Sequence, residues 1–164
     1  MKKRFLRTLP FLILTLLCTV FIFSNSMTEG EESALQSGRV VRAVMKVCDA
    51  VGIEVTDTDT LTYNVRKSAH FLEFGLLGML SFFTLIAFNI KALKSAAVSL
   101  FYCGTVAATD EYIQTFYEGR AGHIGDVLID LSGALTIIVI CFIIVLIIKK
   151  RYIKFYSERD TETD

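Results

Sequence analysis

The sequence lacks the short motifs that mark several common classes of enzyme and metal-binding protein. It contains no Cys-x-x-Cys pair, no H-E-x-x-H segment, no evident serine nucleophile motif and no internal repeat. The first two absences exclude zinc ribbons and zincin metalloproteases, because the metal ligands of those proteins are closely spaced along the chain. Net charge is also absent, since 17 basic residues balance 17 acidic ones. We predict no metal site, no cofactor and no nucleic-acid partner.

Polar residues are also scarce, and this scarcity indicates a membrane protein. The 164 residues are 53% hydrophobic and have a mean hydropathy of +0.54, which is unusually apolar for a soluble domain. Spanning a bilayer takes roughly 20 mainly apolar residues, and four stretches meet this requirement: Phe5–Phe23, Ala69–Phe88, Ala96–Gln114 and Val127–Ile148. We predict an all-α integral membrane four-helix bundle over residues 1–156 and a polar cytoplasmic tail over 157–164. The alternative is a soluble helical protein. In such a protein the apolar residues 127–148 would need to be covered, and the chain has no soluble domain large enough to cover them.

Basic residues flank the spans asymmetrically. They precede the first span, lie between the second and third, and follow the fourth: Lys2, Lys3, Arg4, Arg7, Lys91, Lys94, Lys149, Lys150, Arg151 and Lys154. Since Lys and Arg beside spans favour the cytoplasmic side, we predict a multi-pass protein with both termini in the cytoplasm and residues 24–68 and 115–126 outside. The first span also resembles a signal peptide, whose cleavage would leave the rest of this topology unchanged.

An amphipathic helix is predicted over about residues 34–51, between the first two spans. Its apolar residues recur at helical spacing along one face: Val41, Val44, Met45, Cys48 and Val51. The opposite face carries charged residues: Arg39, Arg42, Lys46 and Asp49. Two roles stay open for this helix, because it could either pack over a loop or gate access to the bundle.

Ionisable and amide side chains gather at the outward ends of spans two, three and four. The set comprises Arg66, Lys67, His70, Glu73, Asp110, Glu111, Gln114, Arg120, His123, Asp126 and Asp130. An ionisable group costs about 2.5–3.5 kcal/mol at the centre of an exposed spanning helix, so we expect these groups to face inward and find partners. Several lie three or four residues apart and so share a helix face. Gly104 and Ala108, four apart on span three, predict close packing of a neighbouring helix there.

Three ordered motifs in this region resemble those of the VanZ-like family. They are Arg66-Lys67-Ser68-Ala69-His70-Phe71-Leu72-Glu73-Phe74-Gly75-Leu76-Leu77, then Asp110-Glu111-Tyr112-Ile113-Gln114, then Gly119-Arg120 and Asp126-Val127-Leu128 with Gly133. The resemblance implies a small multi-span protein of the bacterial cell envelope and its cytoplasmic membrane, whose namesake is associated with low-level teicoplanin resistance. It also implies functional roles for nine residues: Arg66, Lys67, His70, Glu73, Asp110, Glu111, Gln114, Arg120 and Asp126. This chain departs from the family after the first span, where Ser24-Asn25-Ser26 replaces a frequent Ser-Ser-Gln.

Three functions are compatible with this outward cluster. The first, which we favour, is binding of an anionic head group by Arg66, Lys67 and Arg120, because guanidinium groups pair bidentately with phosphate or carboxylate. A lipid-linked wall precursor or a glycopeptide or lipopeptide antibiotic would present such a group among the membrane lipids.

The second function is an outer-leaflet hydrolase or transferase, in which a carboxylate orients a histidine that acts as general acid or base. Its candidate catalytic residues are His70, Glu73, Asp110, Glu111 and His123. In one form of this hypothesis histidines and carboxylates bind a divalent metal. The third function is structural, with the charges fixing helix registry and protein partners carrying the activity.

Overall fold

The protein is built from helices alone over the residues that the structure describes. This computed structural model describes residues 2–28 and 30–161. Its elements are α1 (Lys2–Ser26), α2 (Gly30–Ala50), α3 (Thr58–Ala87), α4 (Ala92–Gln114) and α5 (Ile124–Thr161). All except α2 contain a segment long and apolar enough to cross a membrane: Thr8–Ser26, Thr58–Ala87, Ala92–Gln114 and Ile124–Ile153. The predicted all-α membrane bundle with four spans is therefore confirmed.

Helices α1 and α5 continue beyond the ends of the predicted spans. Helix α1 ends at Ser26 rather than at Phe23, which keeps the polar residues after the apolar run within the helix. Helix α5 runs through Thr161, so residues 157–161 of the predicted polar tail are helical. Residues 162–164 of that tail lie outside the described residues.

Helix α3 begins well before the predicted start of the second span at Ala69. The polar segment from Asp57 to Thr60, whose composition is typical of a linker, forms the start of the helix. The Asp57 carboxylate accepts hydrogen bonds from the backbone N–H groups of Asp59 and Thr60, both at 3.0 Å, and so caps donors that have no partner within the helix. A hydrogen bond from the Thr60 hydroxyl, together with these backbone bonds, lowers the pKa of the Asp57 carboxyl.

Helix α2 has the two faces that its sequence predicts. Val41 is buried, and Val44, Met45 and Cys48 are half-buried, while the charged face of Arg39, Arg42, Lys46 and Asp49 is exposed. Val51 lies in the turn after the helix and is exposed, so the apolar stripe ends with Cys48. Gly52 follows with a φ of 77°, a backbone conformation that suits glycine at a helix end.

The tightest helix contact joins α3 and α5 and depends on glycine. A Cβ atom added to Gly133 would lie 2.1 Å from the carbonyl oxygen of Phe71, and one added to Gly78 would lie 3.1 Å from the carbonyl oxygen of Ala134. Small residues allow such approach of two backbones within a membrane. At Gly104, where the sequence predicts close packing, an added Cβ would lie 3.4 Å from a Leu131 methyl group, which is ordinary van der Waals contact. The close approach is therefore made by α3 and α5, one turn from His70 and Asp130.

Hydrogen bonds between side chains attach α1 to the rest of the bundle. The hydroxyl groups of Thr15 and Thr84 lie 3.1 Å apart, and those of Thr19 and Tyr102 lie 2.7 Å apart. The outer faces carry large exposed apolar side chains, among them Leu17, Phe101 and Leu128. In a bilayer such faces would contact the lipid chains, as expected for membrane-embedded helices.

Candidate functional site

Four helix ends converge at one end of the bundle, which we call the site end. The last turns of α1 and α4 meet the first halves of α3 and α5 there. Six polar side chains from these helices form a connected group that we call the polar cluster: Asn25, Ser26, His70, Glu73, Asp110 and Asp130. The sequence predicts that the ionisable groups share one end of the bundle, and the structure places them at that end.

Asp110 lies at the centre of the polar cluster and is fully buried. The hydroxyl of Ser26 donates a hydrogen bond to its Oδ1, and the amide of Gln114, one turn further along α4, donates to its Oδ2 at 2.9 Å. Each oxygen thus has a donor from a buried side chain, as a buried carboxylate requires. Asp110 joins α1 to α4 and is held in one orientation.

Asp130 is also fully buried, but it has a different environment. Its Oδ1 lies 3.5 Å from Nδ1 of His70 on α3, which is beyond the usual length of an N–H···O hydrogen bond. Neither of its carboxylate oxygens has a hydrogen-bond partner among the described residues. The side chain of His70 is 25% exposed, whereas that of Asp130 is fully buried.

Helix α1 contributes two residues that sequence reasoning did not assign to the site. The amide of Asn25 donates to Oε1 of Glu73 at 3.4 Å, and Ser26 donates to Asp110. Both belong to the Ser24-Asn25-Ser26 segment, where this chain departs from the pattern of the VanZ-like family. The sequence signal for these two residues is a polar pair directly after the first apolar run, at the end of the bundle where the ionisable groups also lie.

Lys67 and Asp126 form an ion pair between α3 and α5, and the side chain of each is 21% exposed. The ammonium group of Lys67 also lies 5.1 Å from the centre of the Tyr63 ring, within the range of a cation–π contact. The two charged groups pair with each other, and this contact joins α3 to α5.

Glu111 holds the loop between α4 and α5. Its Oε2 accepts a hydrogen bond of 2.7 Å from the backbone N–H of His123. A Cβ atom added to Gly122 would lie 2.7 Å from the carbonyl oxygen of Glu111, so the loop packs directly against α4 at this point. The His123 side chain itself is exposed and outside the polar cluster. Glu111 therefore has a positioning role for the loop that carries Arg120.

A cavity of about 890 Å³ opens between α1, α2 and α3 at the site end. Apolar side chains of these three helices form its walls, including Phe21, Val40, Val44, Leu61 and Leu72. Polar side chains line the rest of it: Asn25, Ser26, Ser37, Asn64, Arg66, Ser68, His70, Glu73, Asp110 and Arg120. Helix α2 thus forms one wall of the cavity.

The two arginines at this cavity influence each other. Burial lowers the pKa of the Arg120 guanidinium from its ordinary value, and the charge of Arg66 lowers it further. The carboxylates of Asp110 and Glu111 act in the opposite direction. The half-buried Arg120 and the exposed Arg66 therefore repel each other, and an anion placed between them would reduce this repulsion.

The nine residues assigned by resemblance fall into two groups. Five line the cavity: Arg66, His70, Glu73, Asp110 and Arg120. The other four hold helices and loops in place beside it: Lys67, Glu111, Gln114 and Asp126. The structure therefore brings together some of the candidate catalytic residues, namely His70, Glu73 and Asp110, and leaves His123 and Glu111 outside the cavity.

Fold and site together define a small multi-pass membrane protein in which four spanning helices enclose a polar cluster beneath a partly apolar cavity. The VanZ/LLP1 family model matches residues 11–146, from the first span through the fourth. The chain belongs to this family. No curated protein and no solved structure matches it significantly.

Proposed function

We propose that the protein binds an amphiphilic molecule by its anionic head group in the cavity at the site end. The observation that carries this proposal is the composition of the cavity, which combines apolar walls from three helices with two arginines and the polar cluster. The asymmetry of Lys and Arg along the chain supports an outward-facing site end in the bacterial cytoplasmic membrane, with both termini in the cytoplasm.

The apolar walls favour a ligand with a lipid-like part. Phe21 of α1 and Leu72 of α3 are more than half exposed although they line the cavity, with 55% and 65% of their surfaces accessible. An acyl or prenyl chain that packs against them would remove from water the apolar surface that lines the open cavity. A fully polar ligand would leave it uncovered.

The arginines favour an anionic group on that ligand. A phosphate or carboxylate between Arg66 and Arg120 would offset the repulsion between the two guanidinium groups and accept bidentate hydrogen bonds. Candidates of this chemistry are a lipid-linked wall precursor and a glycopeptide or lipopeptide antibiotic. Membership of the VanZ/LLP1 family supports a role in the envelope, and capture of an antibiotic would give low-level resistance of the teicoplanin type.

Direct binding tests this proposal. Purified protein in detergent is mixed with phosphatidylglycerol, phosphatidylcholine, a lipid-linked wall precursor or teicoplanin, and complexes are counted by native mass spectrometry. We expect an anionic ligand to bind in preference to phosphatidylcholine. Because a hydrogen bond to a charged group contributes about 1.5–3 kcal/mol, the Arg66→Gln/Arg120→Gln variant should bind at least about tenfold more weakly.

The matched control removes two arginines from the exposed face of α2. The Arg39→Gln/Arg42→Gln variant loses the same charge at the same end of the bundle and should bind like the wild type. An equal loss of binding affinity in both variants would show that the effect depends on net charge alone and would contradict the proposal. Equal affinity for phosphatidylglycerol and phosphatidylcholine would also contradict it. A change in the mass of the wall precursor would instead support the hydrolase or transferase function.

A further inference from the structure

Three side chains from three helices converge in the polar cluster with the geometry of metal ligands. A ring nitrogen of His70 on α3 and carboxylate oxygens of Asp110 on α4 and Asp130 on α5 all lie within 4.8 Å of one another. We propose that they bind one divalent metal ion of the Zn²⁺ or Mn²⁺ type beside the cavity, which His70 and Asp110 line. Its three ligands are different residues from Arg66 and Arg120, which would bind the head group in the proposed function.

The environment of Asp130 is an observation separate from this proximity. The residue is fully buried, yet both of its oxygens lack hydrogen-bond partners among the described residues. His70 Nδ1, which is directed towards it, is likewise buried and without a hydrogen bond there. Buried carboxylates are normally satisfied by donors or by a metal ion. A cation between Asp130 and His70 would satisfy these three atoms at once.

The negative charges around the three ligands also favour a bound cation. Glu73, Asp110 and Asp130 lie close enough for their charges to act on one another, with His70 among them. Lys67, which lies on α3 with His70, forms its ion pair with Asp126 and not with any of these three acids. Three acids within a membrane bundle are expensive without a positive partner, and a divalent cation would offset two of these charges.

The ligand types restrict the metal. Imidazole suits Zn²⁺ and other transition metals, and carboxylate also suits Mn²⁺, whereas Ca²⁺ and Mg²⁺ prefer oxygen alone. Three protein ligands leave at least one coordination position for water or for a group that enters from the cavity, which His70 and Asp110 both line.

Asp110 also has the outer hydrogen bonds that a metal ligand requires. Ser26 and Gln114 donate to its two oxygens and so fix the orientation of the carboxylate. Such partners orient ligands, and their loss lowers metal affinity about 10–100-fold. Ser26→Ala is therefore expected to weaken metal binding by this factor while the three ligands stay in place.

The histidine content allows a direct test of coordination. The chain has two histidines, and only His70 belongs to the cluster. Untagged protein in detergent is freed of metal with EDTA, and Mn²⁺ is added under observation by electron paramagnetic resonance. We expect saturable binding of one ion per chain and a spin-echo modulation from one directly bound nitrogen. The modulation should persist in His123→Gln and disappear in His70→Gln.

Thermal unfolding with Zn²⁺ gives a second measurement. At about 100 times the dissociation constant, Zn²⁺ should raise the unfolding temperature of the wild type by roughly 5–10 °C. Asp130→Asn should abolish this rise, whereas Asp49→Asn, on the exposed face of α2, should retain it.

Several results would overturn the metal site. These are the absence of saturable Zn²⁺ or Mn²⁺ binding to folded wild-type protein up to about 1 mM, loss of the nitrogen signal in His123→Gln, and an unchanged Zn²⁺ response in Asp130→Asn. If His70→Gln does not fold, the wild type and His123→Gln together still decide the identity of the nitrogen ligand. Failure of the metal site would leave the proposal on head groups intact, because that proposal depends on Arg66 and Arg120.

Discussion

Gly133→Ala is expected to prevent α3 and α5 from packing as they do in the native bundle. The added Cβ would lie 2.1 Å from the carbonyl oxygen of Phe71 and 2.8 Å from its carbonyl carbon. These are backbone atoms within a helix, so they cannot move aside as a flexible side chain could. Overpacking typically costs 1–3 kcal/mol and occasionally more, and we expect a cost of about 3 kcal/mol or above here, or roughly 6–12 °C in unfolding temperature.

Gly125→Ala is the matched control for this prediction. Gly125 lies on the same helix, and an added Cβ there would have no atom within 4 Å. Fluorescence-detected size-exclusion chromatography and thermal unfolding in detergent should show normal behaviour for Gly125→Ala and a loss of monodisperse protein for Gly133→Ala. Equal unfolding temperatures for Gly133→Ala and the wild type would contradict the tight contact between α3 and α5.

The second large effect is expected when Asp110 loses both of its donors. The Ser26→Ala/Gln114→Leu variant leaves a fully buried carboxylate without the two hydrogen bonds that it has in the native protein. Hydrogen bonds to charged groups contribute about 1.5–3 kcal/mol each, so the combined loss should be about 3 kcal/mol or more. Thermal unfolding in EDTA measures it without any contribution from metal.

Rescue by Asp110→Leu distinguishes a lost hydrogen-bond network from a simple loss of packing. Replacing all the polar partners by apolar groups of similar shape can be nearly neutral, so adding Asp110→Leu to the double variant should recover much of the lost stability. A triple variant that is less stable than the double variant would show that the carboxylate is not the cause of the destabilisation.

Much of the fold could be predicted because hydropathy and helical periodicity are properties of the linear sequence. Four apolar stretches give four spans, and the stripe from Val41 to Cys48 gives the inward face of α2. The start of α3 could not be predicted in this way. Asp57 and its neighbours have the composition of a linker, and only the backbone geometry shows that the carboxylate caps the helix.

The location of the site was also predictable from the sequence. Which side chains pair with each other across the helices was not. Alternating spans bring the polar ends of the second, third and fourth spans to one end of the bundle. The rotation of each helix then decides that Lys67 pairs with Asp126 and that His70 is near Asp130. The close approach of Gly133 to the α3 backbone, a contact between residues distant in sequence, accompanies this arrangement.

Sequence spacing has the same limit for metal ligands. The lack of closely spaced ligands along the chain predicts no metal site. The candidate ligands His70, Asp110 and Asp130 come from three separate helices and leave no local motif. A group of residues of this kind is recognised only when the helices are packed together.

The most direct test of the central claim is to locate a bound anionic lipid by photocrosslinking. Phosphatidylglycerol with a photoreactive group on its head is bound to the purified protein, and labelled peptides are identified by mass spectrometry. We predict labelling of residues 61–73 of α3 and 37–44 of α2, which line the cavity, and its loss when unlabelled phosphatidylglycerol is added in excess. Labelling confined to the outer faces around Phe101 and Leu128, or unaffected by the competitor, would contradict the proposed site.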